Sequence, residues 1–372
     1  MPLRSILLFI WLLGSLPALA QRPAATATSG YEVRGQLGYA PAGTRVQVAE
    51  YQRGRPLVRD STQTDAAGRF RLRGQLAGPR VYVLRLPGLG TEVGLALAPG
   101  SRLQVRGDAR RLWATVEVTG TAEATALAAM NREHARVMGR LQELAPRRAQ
   151  ATNSAAQRRL EQEWGANMAD FAAAAKRLAR QDSYLAPYVT ATFLSGVGSD
   201  EALADSVTEY AARRWPALPY TQQLLRYQAA RRATAVGQPA PEVQLPGPDG
   251  QLQLLSSLRG QYVVLDFWAS WCGPCRTENA HLVQLRQQYR AKGFEVFSVS
   301  VDENKEAWTT AIRQDGLQWV QVLDAAGENS VAANRYNVYQ YPTSFLLDRQ
   351  GRIIAKDLRG KALDDKLAEL MP

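Results

Sequence analysis

Cysteine and histidine are scarce in this chain. Its 372 residues include two cysteines, Cys272 and Cys275, and two histidines, His134 and His281. A single close pair of cysteines cannot build a framework of structural disulfides, but it suits reversible thiol–disulfide exchange. A zinc site needs further ligands, and the histidines lie at spacings unrelated to the cysteine pair. We therefore predict a redox disulfide between Cys272 and Cys275, with no metal and no cofactor.

Long apolar runs are absent beyond the N-terminus. Arg4, the apolar run 5–16 and the small residues at 18–20 have the pattern of a cleavable signal peptide over residues 1–20. The run is short for a transmembrane helix, and an uncleaved anchor is the alternative. We expect an exported protein that is periplasmic or associated with the cell envelope. It would have no transmembrane segment after removal of the signal.

Lysine is also scarce, because the chain has 39 arginines and only 6 lysines. The formal net charge is +11, but residues 237–372 carry 14 Lys and Arg against 16 Asp and Glu, a net of −2. The positive charge therefore belongs to the N-terminal half, where arginines are scattered through alanine-rich sequence without basic runs interleaved with aromatics. This pattern does not indicate a nucleic-acid partner.

Three regions follow the signal segment. Residues 21–120 contain short alternating runs with glycine-containing turns, which predict a small antiparallel β sandwich or barrel domain. Residues 121–236 have apolar positions at helical spacing, and Pro146 is expected to end the first helix. The Pro- and Gly-rich stretch 237–250 marks the start of an α/β domain over 237–372, in which strands and helices alternate. No catalytic constellation is evident before residue 237.

The chemistry is concentrated where an apolar strand meets a helix. Residues 263–267 form a strand-length apolar run that contains one acid, Asp266, and helical periodicity begins after Cys275. This order places the Cys272 sulfur at a helix N-terminus, where backbone N–H groups and the helix dipole stabilise a thiolate. The pKa of Cys272 should therefore fall below the usual value of about 8.5. Cys275 lies one turn further into the helix.

These residues resemble a known active site. The stretch from Asp266 to Arg276, which reads DFWASWCGPCR, is similar to the active-site signature of the thioredoxin superfamily. The approach through residues 237–241 and 255–260 resembles the TlpA/ResA-like exported branch. The resemblance covers about residues 236–372 and implies a thioredoxin-like mixed sheet flanked by helices. Short motifs within 21–120 resemble a β domain of unknown function that often precedes such redox domains.

The resemblance implies a role for several side chains. Cys272 would attack a substrate disulfide, Cys275 would resolve the mixed disulfide, and Asp266 would take up the proton of Cys275. Pro342 would be a cis-proline that faces the sulfurs and pairs with an extended substrate segment. The residues implied in substrate docking are Trp271, Gly273, Pro274, Tyr341 and Thr343.

Three positions on the active-site helix need comment. Family members usually have a proline five residues after the second cysteine, where this chain has Ala280, so the helix is expected to be straighter. Glu278 matches a common Arg-x-Glu pattern. It either tunes the site or is an ordinary acid of a first helical turn. His281 is expected at the surface.

These features predict an exported thiol–disulfide oxidoreductase that reduces protein disulfides. Its substrates would be disulfide-bonded or dithiol exported proteins, and a membrane thiol-reducing electron donor would supply electrons. A peroxiredoxin-like thiol peroxidase is one alternative, because those enzymes share the fold, but it usually has a distant resolving cysteine. A partner-binding module that carries a redox domain is another, in which residues 31–235 would recognise the partner.

Overall fold

A computed structural model describes residues 29–52, 55–151, 153–194, 200–327 and 330–372. The predicted signal peptide, residues 1–20, lies outside the described residues. The chain forms two compact units that divide between Trp164 and Gly165. The domain boundaries predicted near residues 120 and 236 stay predictions.

The first unit contains two four-stranded sheets. Their strand orders are β4-β1-β7-β8 and β3-β2-β5-β6. All strand neighbours are antiparallel except β1 and β7, which run parallel because the chain passes through the other sheet between them. The antiparallel β architecture predicted for this region is thus confirmed, with one parallel pair. The strands are β1 (Ser29–Gly38), β2 (Arg45–Gln52), β3 (Arg55–Gln63), β4 (Arg69–Leu76), β5 (Arg80–Leu86), β6 (Thr91–Leu97), β7 (Arg102–Asp108) and β8 (Glu117–Thr119).

A helical region follows the sheets, as predicted. Its first long helix does not end at Pro146, because that proline lies inside the helix. A proline removes one backbone hydrogen bond, and buried Leu141 and Leu144 hold the preceding turn in place. A short helix, α1 (Leu112–Thr115), lies between β7 and β8. The helices of the region that follows the sheets are α2 (Ala122–Gln150), α3 (Ser154–Ala179), α4 (Leu185–Val189), α5 (Glu201–Arg214) and α6 (Pro219–Ala233). Within the described ranges, no helix combines the length and apolar character needed to cross a bilayer.

The second unit ends in a five-stranded mixed sheet of order β13-β12-β11-β14-β15. Strands β11, β12 and β13 are parallel, and β14 and β15 run antiparallel to them or to each other. The predicted thioredoxin-like α/β layout is therefore confirmed. The elements are β9 (Gln244–Pro246), β10 (Leu252–Leu254), β11 (Tyr262–Trp268), α7 (Gly273–Tyr289), β12 (Phe294–Ser300), α8 (Lys305–Asp315), β13 (Val320–Leu323), α9 (Val331–Arg335), β14 (Thr343–Leu347), β15 (Ile353–Lys356) and α10 (Lys361–Leu370).

Burial explains the apolar runs of the central strands. Every residue of β12 is buried, as is all of β11 except Tyr262. A strand covered by helices on both faces loses polar alternation and becomes continuously apolar. Asp266 is the exception within β11. The core around it includes the fully buried rings of Phe267, Trp268 and Phe297.

The segment after α6 is fixed to the edge of this sheet. Gly237 donates its N–H to the carbonyl of Ile353 at 2.7 Å, and Ile353 donates back to the carbonyl of Gln238 at 2.9 Å. Ala240 then donates to the carbonyl of Gly351 at 2.9 Å. Helix α6 therefore leads directly into a segment that is hydrogen-bonded to β15.

Candidate active site

The two cysteines form a disulfide at the start of helix α7. The S–S distance is 2.01 Å, and Cys272 is the N-cap residue, whose sulfur accepts the N–H of Cys275 at 3.2 Å. Cys272 keeps 6% of its surface exposed and Cys275 keeps 1%. The outer sulfur thus lies at the positive end of the helix dipole, where a thiolate would be stabilised after reduction.

Asp266 lies on the strand that leads into the redox pair and is 2% exposed. Burial raises its pKa to about 7, and the charge of Glu278 acts in the same direction, while Arg359 and a hydrogen bond from Ser298 oppose them. The Ser298 hydroxyl donates to Asp266 at 3.5 Å and itself accepts the indole N–H of Trp319 at 2.8 Å. A carboxyl group that titrates near neutral pH can both accept and release a proton under physiological conditions.

The peptide bond between Tyr341 and Pro342 is cis. The antiparallel register pairs Thr343 with Phe267 and Ser344 with Asp266. Pro342 therefore lies at the end of β14 that adjoins the redox end of β11. Its carbonyl accepts a hydrogen bond from the Arg359 guanidinium.

The residues predicted to dock substrate differ in their exposure. The Trp271 side chain is 68% exposed and meets the ring of Tyr341 edge to face, with ring centroids 6.1 Å apart. Gly273 and Pro274 form the exposed first turn of α7, and a Cβ at Gly273 would meet no atom within 4 Å. Thr343, in contrast, is 8% exposed, and its hydroxyl donates to the carbonyl of Gln340 at 2.9 Å. Trp271, Gly273 and Pro274 thus leave room for a partner chain at this face.

Sequence reasoning missed Asp302, which anchors the redox turn from the end of β12. It is 2% exposed and accepts both the N–H of Ser270 at 2.9 Å and the Ser270 hydroxyl at 2.6 Å. Sequence reasoning also missed Arg359, which contacts the cis-proline carbonyl. An acid that directly follows a buried strand was the available signal for Asp302, whereas no local pattern pointed to Arg359.

Helix α7 runs without a break through Ala280, and its straightness relative to family members stays a prediction. The neighbouring Asn279 is 1% exposed and donates to the carboxylate of Asp315 at 3.0 Å. His281 does not project freely from the surface. Its Nδ1 lies 3.3 Å from Glu278, and its Nε2 lies 2.7 Å from Asp364 on α10.

The redox domain matches known thiol–disulfide oxidoreductases. It is 30% identical over 136 residues to the thiol-disulfide oxidoreductase ResA of Bacillus thuringiensis subsp. konkukian (strain 97-27), which covers 76% of that protein and 37% of this chain. The chain belongs to the ResA-like branch of the thioredoxin superfamily. The predicted family is confirmed, and with it the activity of a thioredoxin-like protein-disulfide oxidoreductase that acts on protein substrates.

Two further sequence comparisons cover the same part of this ResA-like protein. The ResA of Geobacillus kaustophilus (strain HTA426) is 35% identical over 123 residues, which represent 69% of that protein and 33% of this chain. The AhpC/TSA family matches residues 236–356. A solved thiol-disulfide oxidoreductase from Bacteroides fragilis NCTC 9343 is 41% identical over 36% of this chain and 99% of its own, with a TM-score of 0.34.

Proposed function

We propose that this enzyme is exported and reduces disulfides in proteins through a dithiol–disulfide cycle of Cys272 and Cys275. The observation that carries the proposal is the arrangement of the pair. The outer sulfur caps a helix N-terminus, and a buried carboxyl that titrates near neutral pH lies on the adjoining strand.

In the first step, the Cys272 thiolate attacks one sulfur of the substrate disulfide. A bond forms between Cys272 and that sulfur, the substrate S–S bond breaks, and the second substrate sulfur leaves as a thiolate. The helix N-terminus favours the attacking thiolate. The exposed Trp271, Gly273 and Pro274 provide the surface on which the substrate docks.

In the second step, Cys275 attacks the Cys272 sulfur and releases the remaining substrate thiolate. Cys275 must first lose its proton, and the carboxylate of Asp266 accepts it, directly or through one water molecule. Two electrons have then passed from the dithiol to the substrate. The cis-proline Pro342, with its neighbours Tyr341 and Thr343, holds the substrate backbone beside the sulfurs during both steps.

The cellular setting is part of the same proposal. Residues 1–20 act as a signal peptide, and the mature chain works in the periplasm or at the cell envelope. In that oxidising compartment, a membrane thiol-reducing electron donor returns the pair to the dithiol state. Residues 21–120 and 121–236 form a β domain and a helical region ahead of the redox domain at 237–372.

A thiol peroxidase is the weaker candidate. A peroxidatic cysteine usually has a distant resolving partner, whereas both cysteines here form one disulfide three positions apart. Rapid consumption of hydrogen peroxide by the purified protein without added thioredoxin would favour the peroxidase. The other alternative is a partner-binding module in which residues 31–235 recognise the partner. Deletion of residues 31–235 tests it, because this alternative predicts that disulfide turnover on the partner then falls.

Trapping tests the order of attack. Reduced Cys275→Ser protein, incubated with a disulfide-bonded peptide, should accumulate a mixed disulfide on Cys272, because the resolving thiol is missing. The matched Cys272→Ser protein should form none. A mixed disulfide on Cys275 would overturn the assignment.

The reduction potential tests the direction of the reaction. Equilibration of the Cys272–Cys275 pair with dithiothreitol buffers should give a value near that of thioredoxin, about −270 mV. A value near about −120 mV would make the protein an oxidant that introduces disulfides.

A further inference from the structure

A groove of ≈ 880 Å³ opens beside the redox turn. Its lining begins at Ser270 and Trp271, next in sequence to Cys272, and ends at the loop before the cis-proline. Its apolar wall consists of Trp271, Val301, Ala307, Val338, Tyr339 and Tyr341. A polypeptide that brings a disulfide to Cys272 can therefore lie against this surface.

Tyr339 forms the outer part of this wall and is 60% exposed. Its ring stacks on Tyr227 of helix α6, with ring centroids 6.2 Å apart and an interplanar angle of 25°. Tyr227 itself is 8% exposed. The helical region therefore contributes a buried ring that supports an exposed ring of the groove.

The position of Tyr227 is fixed by the rest of α6. Thr234 lies seven residues further along, which places it on the same side of the helix. It is fully buried and accepts a hydrogen bond from Lys356 of β15 at 3.4 Å. The hydrogen-bonded segment after α6 holds the same edge of the sheet. Tyr227 is thus a rigid support for Tyr339.

The charge of the groove restricts its occupant. The charged residues that line it are Asp302 and Glu303, both acidic. The Asp302 carboxylate is occupied by Ser270 and Ser300, whereas Glu303 is exposed. An apolar or aromatic side chain suits the wall, and a neighbouring acidic residue in the substrate would be repelled.

We propose that Tyr227 of helix α6 is a positioning residue that holds Tyr339 in place, so that the helical region shapes the contact of the groove with an apolar side chain next to the substrate cysteine. The proposal rests on attack by Cys272, as argued above. It gives the helical region a direct part in substrate choice.

Two synthetic peptide disulfides test the proposal. They are homodimers of one peptide with a single cysteine, which is followed by Phe in one and by Ser in the other. Bis(2-hydroxyethyl) disulfide is the third substrate, since it is too small to reach the groove. The second-order rate constant for oxidation of the reduced full-length protein is measured with each.

The wild-type protein should prefer the Phe peptide over the Ser peptide by about tenfold, because burial of an apolar side chain contributes on this scale. Tyr339→Ala and Tyr227→Ala should each lower that preference by about 2- to 10-fold, a loss on the scale of the energy of an aromatic pair. Tyr227→Phe keeps the ring and should keep the preference. Tyr210→Ala is the control, because Tyr210 meets Trp215 edge to face at a different place in the helical region.

An unchanged preference in either Tyr227→Ala or Tyr339→Ala would overturn the proposal. An equal loss in the rate constant for bis(2-hydroxyethyl) disulfide would also overturn the proposal, because the substitution would then slow the reaction with every substrate. If Tyr227→Ala does not fold, Tyr339→Ala decides, since that ring is largely exposed. Failure of the proposed function is a separate outcome, because Cys272→Ser would then still react with bis(2-hydroxyethyl) disulfide, forming a mixed disulfide on Cys275 and releasing one molecule of 2-mercaptoethanol.

Discussion

Ser270 is held by Asp302 through both oxygens of the carboxylate. Oδ2 accepts the backbone N–H of Ser270 at 2.9 Å, and Oδ1 accepts its hydroxyl at 2.6 Å. Ser270 precedes Cys272 by two residues, so the end of β12 fixes the turn that carries the attacking sulfur. A buried carboxylate with several donors is a rigid anchor, because each lost bond leaves an unsatisfied group.

Asp302→Ala should therefore lower both the stability of the protein and its rate of disulfide reduction. The buried N–H of Ser270 would lose its acceptor, at a cost of about 2 kcal/mol in the free energy of unfolding. The looser turn should lower the rate of disulfide reduction by about tenfold. Urea unfolding and peptide reduction measure the two effects. Ser300→Ala is the matched control, because it removes one donor to Asp302 and leaves Ser270 bound. Equal effects of the two changes would contradict this account.

Asp266→Asn should stabilise the protein above neutral pH. Its carboxyl group has a folded pKa of about 7 against an ordinary value of 3.8. The folded state therefore holds a proton that the unfolded state has lost, and stability falls as pH rises from about 4 to 7. The Asp266→Asn variant has no carboxyl group to ionise and therefore does not lose stability in this way. Its free energy of unfolding should exceed that of the wild type by up to about 4 kcal/mol at pH 8.

At pH 4 the same comparison should give less than about 1 kcal/mol, because pH 4 lies close to the ordinary pKa of 3.8 and ionisation in the unfolded state has only begun to lower stability. Urea unfolding of the oxidised proteins at the two pH values measures the difference. Asp365→Asn on the exposed face of α10 serves as the control. A gain at pH 4 as large as at pH 8 would show that ionisation of Asp266 is not its source.

His281→Gln should weaken the protein in acid and leave it almost unchanged in base. Burial lowers the pKa of His281, but its hydrogen bonds to Asp364 and Glu278 outweigh burial, and the net shift is upward. Protonated His281 therefore stabilises the folded protein fully below about pH 6.5. This stabilisation is lost as pH rises through the raised pKa of His281 in the folded state. We expect a loss of about 1 kcal/mol at pH 5.5. Thermal unfolding at pH 5.5 and pH 9 tests this, with Lys361→Gln as a control that should lack the pH dependence.

Local sequence predicted the redox strand, turn and helix well. The apolar run of β11, the cysteine pair and the periodicity of α7 are all contained in about thirty consecutive residues, and each element follows from its own residues. The partners of that turn could not be predicted in the same way. Asp302 lies 32 positions from Ser270, and the contact depends on the parallel register of β11 and β12.

Features that depend on contacts between residues far apart in sequence could not be predicted from local sequence patterns. Pro146 was expected to end α2, but the tertiary contacts of its neighbours carry the helix past it. The stack of Tyr227 on Tyr339 joins residues 112 positions apart, and neither ring has a sequence motif around it. Contacts of this kind come from packing of whole elements, so the role of the helical region was hidden from sequence reasoning.

The active-site helix has a second anchor at the end of α8. Asp315 at the end of α8 accepts the Arg276 guanidinium at 2.6 Å and the Asn279 side chain at 3.0 Å. Arg276 also reaches the carbonyl of Ser270 at 3.3 Å, so this cluster ties α7 to the redox turn.

Removal of the Asp315 carboxylate should lower the free energy of unfolding, and the size of this loss should depend on pH. Burial raises the pKa of Asp315, but the bonds from Arg276 and Asn279 outweigh burial and lower it overall. Ionised Asp315 therefore stabilises the folded protein above about pH 4. This stabilisation is lost as pH falls through the lowered pKa of Asp315 in the folded state. Asp315→Ala should lose about 2 kcal/mol at pH 7 and much less at pH 2.5, because it leaves the Arg276 guanidinium without its carboxylate and the buried Asn279 amide without its acceptor. Glu369→Gln, which affects only an exposed pair with Lys366, should change little at either pH. A loss in Asp315→Ala that is the same at both pH values would assign the effect to packing rather than to the ion pair.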